Sequence, residues 1–291
     1  MPAPPTLDEL IETSLHLQDR TKELYRGCVA EFVTFAGTDP SAYSSVVVER
    51  WLFSLLKERK PQTVNVYRKA IRYASRRWAK QDRAHVDFAA DVDKVKAQPA
   101  VPRVPLTYDE AAKLLATCDG DVLADVRDRA LIILALRSGL RRGGLRALEF
   151  SGIRPPKITT VNKGGGLITF EADAETLAAL EEWRVRLAAL GVTSGRVFRV
   201  VRGEKIRGTM SAFQIWRVFD TRAKQAELRH VFPHLARHST VTWLREEGKS
   251  SAEVSKLTGQ TERTIENIYT HVRTRGAVGD ALPSLLKKGT R

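Results

Sequence analysis

Cysteine is almost missing from this chain. Cys28 and Cys118 are the only two, far apart and outside any metal-ligand spacing. That excludes a disulfide framework, argues against a zinc or other metal site, and fits a reducing compartment. Acid is the second shortage. The 34 Asp and Glu face 48 Lys and Arg, leaving a net charge of +14. So large an excess calls for a polyanionic partner, of which nucleic acid is the commonest. Long apolar runs are the third. The longest, Ala130 to Leu136, is too short to span a bilayer, and the opening MPAPPTLDEL has no apolar signal core. No membrane association is expected, and a cytoplasmic location is.

What is present suits a soluble globular protein with room for two domains: 291 residues, 43% apolar and 28% charged. The first third reads as consecutive amphipathic helices. Tyr25, Cys28, Val29 and Phe32 recur at helical spacing, as do Val48, Trp51, Leu52, Leu55 and Leu56. The clearest apolar face runs through Val64, Tyr67, Ile71, Ala74 and Trp78. Off that line lie Arg68, Lys69, Arg72, Arg76, Arg77 and Lys80, with no acid between the first and the last. A face kept only for solubility would mix signs, so these six are expected to contact the DNA backbone.

Residues 98–106 carry three prolines and read as a stiff linker between a helical domain, 1–97, and a larger one, 107–280. The larger domain opens on a capping box, Thr107 to Glu110. Helices are expected over Ala111 to Thr117, Val126 to Ser138, Leu177 to Leu190 and Met210 to Ala226. Lys157 to Phe170 reads as a β-hairpin whose tip is Asn162-Lys163-Gly164-Gly165-Gly166, and 196–201 as a short strand. The fold expected is mainly α with a small β-hairpin sheet.

The stretch Phe232 to Val272 concentrates the chemistry. His234, Arg237 and His238 fall within five residues, and Tyr269 follows in the context NIYTHV. Arginine grips phosphate oxygens with a planar fork, histidine moves protons near neutral pH, and tyrosine supplies an oxygen nucleophile. Upstream, Ser138-Gly139-Leu140-Arg141 places an arginine at the mouth of a helix-ending turn.

Taken in order, these pieces resemble the tyrosine recombinase (phage integrase) family, the two-domain Xer-like members above all. Ser138-Gly139-Leu140-Arg141 is similar to the family's first arginine box, and Lys163 stands where the family places its hairpin lysine. His234-Leu235-Ala236-Arg237-His238 resembles its H-x-x-R box, and Leu257-Thr258-Gly259-Gln260 its L-G-[HW] position. Tyr269, nine residues later, has the nucleophile's spacing. The resemblance implies a SAM-like helical core-binding domain followed by an α+β catalytic domain. It also implies site-specific recombination of double-stranded DNA through a 3′-phosphotyrosyl intermediate, without metal, ATP or other cofactor. Tyr269 would attack, His234 serve as base, Lys163 protonate the leaving 5′-oxygen, and Arg141, Arg237 and Gln260 hold the phosphate. A homotetramer assembled on two DNA sites is implied, with the tail 281–291 docking on a neighbouring protomer and the two domains clamping duplex DNA in the cytoplasm, on nucleoid- or virus-associated DNA.

Two positions depart from the family pattern. Gly144 replaces the acid three places after the first arginine, and Gln260 replaces a histidine or tryptophan. An amide still donates a hydrogen bond but does not titrate near neutral pH, so weaker activity is expected. Two alternatives stay open at this stage. Ser250 to Val272 also reads as a helix-turn-helix, so the chain could be a helix-turn-helix or a recombinase-like DNA-binding protein without cleavage activity. Topoisomerase IB-like relaxation or hairpin telomere resolution would use similar residues to another end.

Overall fold

The computed structural model describes residues 5–98, 103–161 and 165–266. The chain divides into two compact units, Met1–Ala100 and Val101–Arg291.

The first unit is built from α1 (Leu7–Glu12), α2 (Asp19–Ala36), α3 (Ser45–Leu55) and α4 (Pro61–Ala79). A Thr6–Glu9 capping box starts α1, Gly37 at φ 90° ends α2, and Pro61 supplies the preset first turn of α4. Phe32 is the hub of the core, with Tyr43, Trp51 and Phe88 at centroid distances of 4.9, 5.1 and 6.3 Å. Val64, Ile71, Ala74 and Trp78 of α4 are buried as their spacing implies, while Tyr67 is half-buried.

Polar residues of α4 hold down the irregular chain that follows it. Asn65 donates to Val95 O at 2.9 Å and accepts from Val95 N at 3.0 Å. Ser75 Oγ accepts from Ala89 N at 3.0 Å. This segment has no periodicity of its own. Side chains of the neighbouring helix satisfy its buried backbone groups instead.

The second unit is organised around α6 (Leu123–Ser138), which is buried on nearly every side. It starts three residues before the expected Val126. Around it lie α5 (Tyr108–Ala116), α7 (Arg142–Ala147), α8 (Ala174–Ala189), α9 (Ala212–Gln225), α10 (Pro233–Glu246) and α11 (Ser251–Thr258). Strands β1 (Ile153–Arg154), β2 (Lys157–Val161) and β3 (Leu167–Glu171) form an antiparallel sheet in that order, with Thr159 opposite Thr169.

A second hairpin pairs β4 (Arg199–Arg202) with β5 (Lys205–Thr209). The sequence pointed to its first strand only. In β5 Ile206 is the sole large apolar residue among Lys205, Arg207, Gly208 and Thr209, so alternation is too faint to read.

Residues 103–106, expected within a linker, pack on this unit instead. Arg229 donates to the carbonyls of Val104 and Pro105, and Leu106 is buried. Leu106 N donates to Ser239 Oγ at 2.8 Å, and its carbonyl accepts from Trp243 Nε1 at 2.9 Å. Prolines keep this strap extended, but its polar groups are answered by Arg229 and by α10. The Thr107–Glu110 capping box follows directly.

Among the described residues no helix is long and apolar enough to cross a membrane.

Candidate active site and nucleic-acid interface

The site forms where α6 ends. Gly139 caps α6 in the left-handed conformation, φ 60°, and is hemmed in. A Cβ there would meet the Thr240 methyl at 3.3 Å and the Thr258 methyl at 3.4 Å. Both the backbone angle and the space therefore call for glycine. Thr240 Oγ1 donates to Leu136 O at 2.7 Å, tying α10 to the end of α6. The chain then turns so that Arg141 is the N-cap of α7.

Arg237, on α10, lies against this turn and is 2% exposed. Its Nη1 donates to Gly139 O, whereas Nε and Nη2 are buried with no hydrogen-bond partner among the described residues. Desolvation, reinforced by the charge of Arg141, pushes its pKa down to about 9. A buried guanidinium with two unanswered donors is costly unless an anion completes it. Gln260, just beyond the left-handed Gly259 that closes α11, repeats the pattern. It is 4% exposed, with its Nε2 unanswered.

His234 is the second residue of α10, after Pro233. Its side chain keeps an exposed edge, yet the ring sits among enough neighbouring atoms to be partly desolvated. That desolvation, with the charges of Arg103, Arg237 and Arg141, holds it below the ordinary imidazole range. His238 packs against it edge-on at 4.8 Å, and burial with the His234 and arginine charges pushes His238 down to about 4. Both rings are therefore neutral at physiological pH, and a neutral imidazole accepts a proton. His234, Arg237 and Arg141 are thus brought together electrostatically. Lys163 and Tyr269 lie outside the described residues, as does the tail 281–291.

Gly144, the first departure from the family pattern, sits in α7 against β2. Its carbonyl accepts from Thr160 Oγ1 at 2.9 Å, and a Cβ would meet Leu140, Val161 and Thr160 only at ordinary distances, 3.4 to 3.6 Å. A strand hydroxyl thus ties the turn carrying Arg141 to the sheet.

The six cations of the first unit divide into two sets. Arg68 donates from Nε to Val92 O at 2.8 Å, and Arg72 reaches the same carbonyl at 3.5 Å. These two serve their own fold, and Arg77 is half-buried. Lys69, Arg76 and Lys80 are exposed at helical spacings of seven and four, which lines them along one face. Helical phase alone does not separate the sets, because Val92 belongs to a segment without a pattern.

Sequence reading also missed Arg103. Its guanidinium lies 5.0 Å above the Phe232 ring, and its charge acts on both histidines. The proline-rich context made it look like linker.

Residues 105–275 match the model of the Phage integrase family. The chain is 26% identical over 286 residues to the tyrosine recombinase XerD of Listeria monocytogenes, covering 91% of this chain and 95% of that one. It is 31% identical over 195 residues to the tyrosine recombinase XerC of Xanthomonas campestris, 66% of this chain and 58% of that one. In structure it is similar to a lambda integrase tetramer bound to a Holliday junction, with TM-score 0.71 and 18% identity over 93% and 78% of the two chains. It is likewise similar to the XerH recombinase in a post-cleavage complex with a palindromic difH substrate, with TM-score 0.69 and 20% identity over 87% and 75%.

The chain belongs to the phage integrase family. It is a tyrosine recombinase, a DNA strand-transferring enzyme of site-specific recombination.

Proposed function

We propose that this chain cleaves and rejoins duplex DNA with Tyr269 as nucleophile and Arg141, Lys163, His234, Arg237 and Gln260 as its catalytic partners. The phenol oxygen attacks the scissile phosphorus and the bond to the 5′-oxygen breaks, leaving a 3′-phosphotyrosyl link and a 5′-hydroxyl. His234, held neutral, takes the phenol proton, and Lys163 gives one to the leaving oxygen. Arg141, Arg237 and Gln260 hold the non-bridging oxygens and offset the charge that builds on them. Rejoining reverses the steps. The ester's energy is kept in the covalent link, so neither ATP nor metal enters.

The observation that carries this reading is Arg237, with two buried donors unanswered among the described residues. A purely architectural arginine would have them paired. The ordered motifs from Arg141 to Tyr269 support the same roles.

By the same reading the first unit is the core DNA-binding domain, contacting phosphates through the α4 cations. The second is the catalytic domain, and four protomers assemble on two DNA sites, in the cytoplasm, on nucleoid- or virus-associated DNA. Residues 281–291 dock on a neighbouring protomer.

The test is covalent capture on a nicked suicide substrate in EDTA, resolved on a denaturing gel. Wild type yields a protein–DNA band, and Tyr269→Phe yields none while still shifting the same DNA. A clear mobility shift without a band in the wild type would sink the catalytic assignment.

A further inference from the structure

One surface feature lies beyond the strand-transfer chemistry. From Arg103 a continuous run of flat side chains leads away from His234 across the second unit. Arg103 lies over Phe232 at 5.0 Å, and Phe232 stacks on His230 at 5.2 Å with 28° between planes. His230 meets Trp216 at 5.8 Å, and Trp216 stacks on Phe213 at 5.6 Å with 22° between planes. His230 is held in place by Asp220, whose Oδ1 lies 3.2 Å from its Nδ1.

Phe232 and Trp216 are half-buried, whereas His230 between them and the outer end are exposed. Phe213 is 63% exposed, on the first turn of α9, with its ring uncovered on the outside. Arg217, one turn along the same face, is exposed as well. An exposed phenylalanine stacked on a tryptophan contributes little to a core, and solubility alone would favour a polar residue there.

We propose that this ladder is a stacking platform for unpaired nucleobases of the strand next to the cut. The proposal rests on the strand-transfer reading above. Once a strand is cut, the bases beside the free 5′-hydroxyl must leave their partners before that end is exchanged. Unstacking costs a few kcal/mol per base, and aromatic faces restore part of it whatever the sequence. Three features fit this ligand. Phe232 is two residues from His234, so the ladder is continuous with the proposed site. Arg103 and Arg217 supply charge for the phosphates between the bases. Phe213, stacked on Trp216 at the end of the run, stays exposed and so offers a ring on which a base can stack.

The platform is testable without knowing the target site. Affinity of the full-length protein would be measured by fluorescence anisotropy for a short oligothymidylate and for a duplex carrying the same number of phosphates. Phe213→Ala is expected to lose roughly five- to tenfold for the oligothymidylate while its duplex affinity stays within about twofold. Phe213→Trp should keep the single-strand affinity, and Phe213→Leu should not, since it restores bulk without a π-face. Unchanged oligothymidylate binding in Phe213→Ala would overturn the proposal, as would an equal loss for both DNAs. So would a variant whose only change is in self-association by sedimentation, which would make the ladder a protein contact. Oligothymidylate binding involves no cleavage, so failure of the platform and failure of the covalent chemistry are separate results.

Discussion

Two arginines of the second unit are buried almost equally and differ in every other respect. Arg222, 7% exposed on α9, has its guanidinium fully answered. It bonds Asp128 at 2.9 Å, Asp125 at 2.5 Å and the Thr117 carbonyl at 2.6 Å. Burial pulls its pKa down, but the charge of Asp128 and bonds from both carboxylates more than offset this and leave it raised. Among the described residues Arg237 has a single backbone carbonyl and no carboxylate, and its pKa is pushed down to about 9. Arg222 ties α9 to the start of α6. Arg237 stands at the opposite end of α6 with donors to spare. Burial alone does not tell a structural arginine from an anion-binding one. What distinguishes them is whether the partners are already inside the protein.

That contrast is sharpest in mutation. Arg237→Ala should lower covalent capture by about 10²–10³-fold, as loss of one preorganised transition-state donor does. Its unfolding free energy in urea titration should fall by no more than about 1 kcal/mol, since one hydrogen bond goes and one buried charge is relieved. A large stability loss with normal cleavage would reverse the roles assigned here. Arg222→Ala should do the opposite. Asp128 keeps its pair with Arg127 but loses Arg222, as Asp125 does, so a destabilisation of about 2–3 kcal/mol is expected while cleavage per folded molecule is kept.

Titration extends the comparison to the histidines. His238 has its folded pKa pushed down to about 4 from 6.5. As pH falls below the unfolded value, the unfolded chain takes up a proton first. Stability should therefore decline from about pH 6.5 and level off near pH 4, by on the order of 1–2 kcal/mol once solvent screening is allowed for. His238→Gln should flatten that part of the profile in denaturation experiments across this range. An unchanged slope would assign the decline to other groups.

The smallest effects are expected on α4. Alanine at Lys69, Arg76 or Lys80 should weaken duplex binding a few-fold whatever the sequence, and reduce the salt dependence by about one counterion each. Arg68→Ala should instead be read mainly in thermal stability, through the lost bond to Val92 O. Equal salt slopes for Arg68→Ala and Lys69→Ala would erase the division of that stripe into outward and inward cations.

Much of the fold was legible beforehand because the signals are local. Apolar phase found α4 and α6, the Thr107 box found a helix start, and two β-branched runs found β2 and β3. Less was legible where a residue's partner is remote. Nothing near Arg103 says that its charge faces His234, and nothing near Ser239 says that it receives Leu106 N. Gly144 looked like a missing brace, yet Thr160 answers its carbonyl from β2.

Order and spacing along the chain, from Ser138-Gly139-Leu140-Arg141 through His234 and Arg237 to Tyr269, were enough for the family, because residue type and interval are properties of the string. Which arginines are paired is not such a property. That Arg222 meets two carboxylates and Arg237 none follows from how α6, α9 and α10 pack. Desolvation and hydrogen bonding depend on neighbours in space, and only the tertiary structure supplies those.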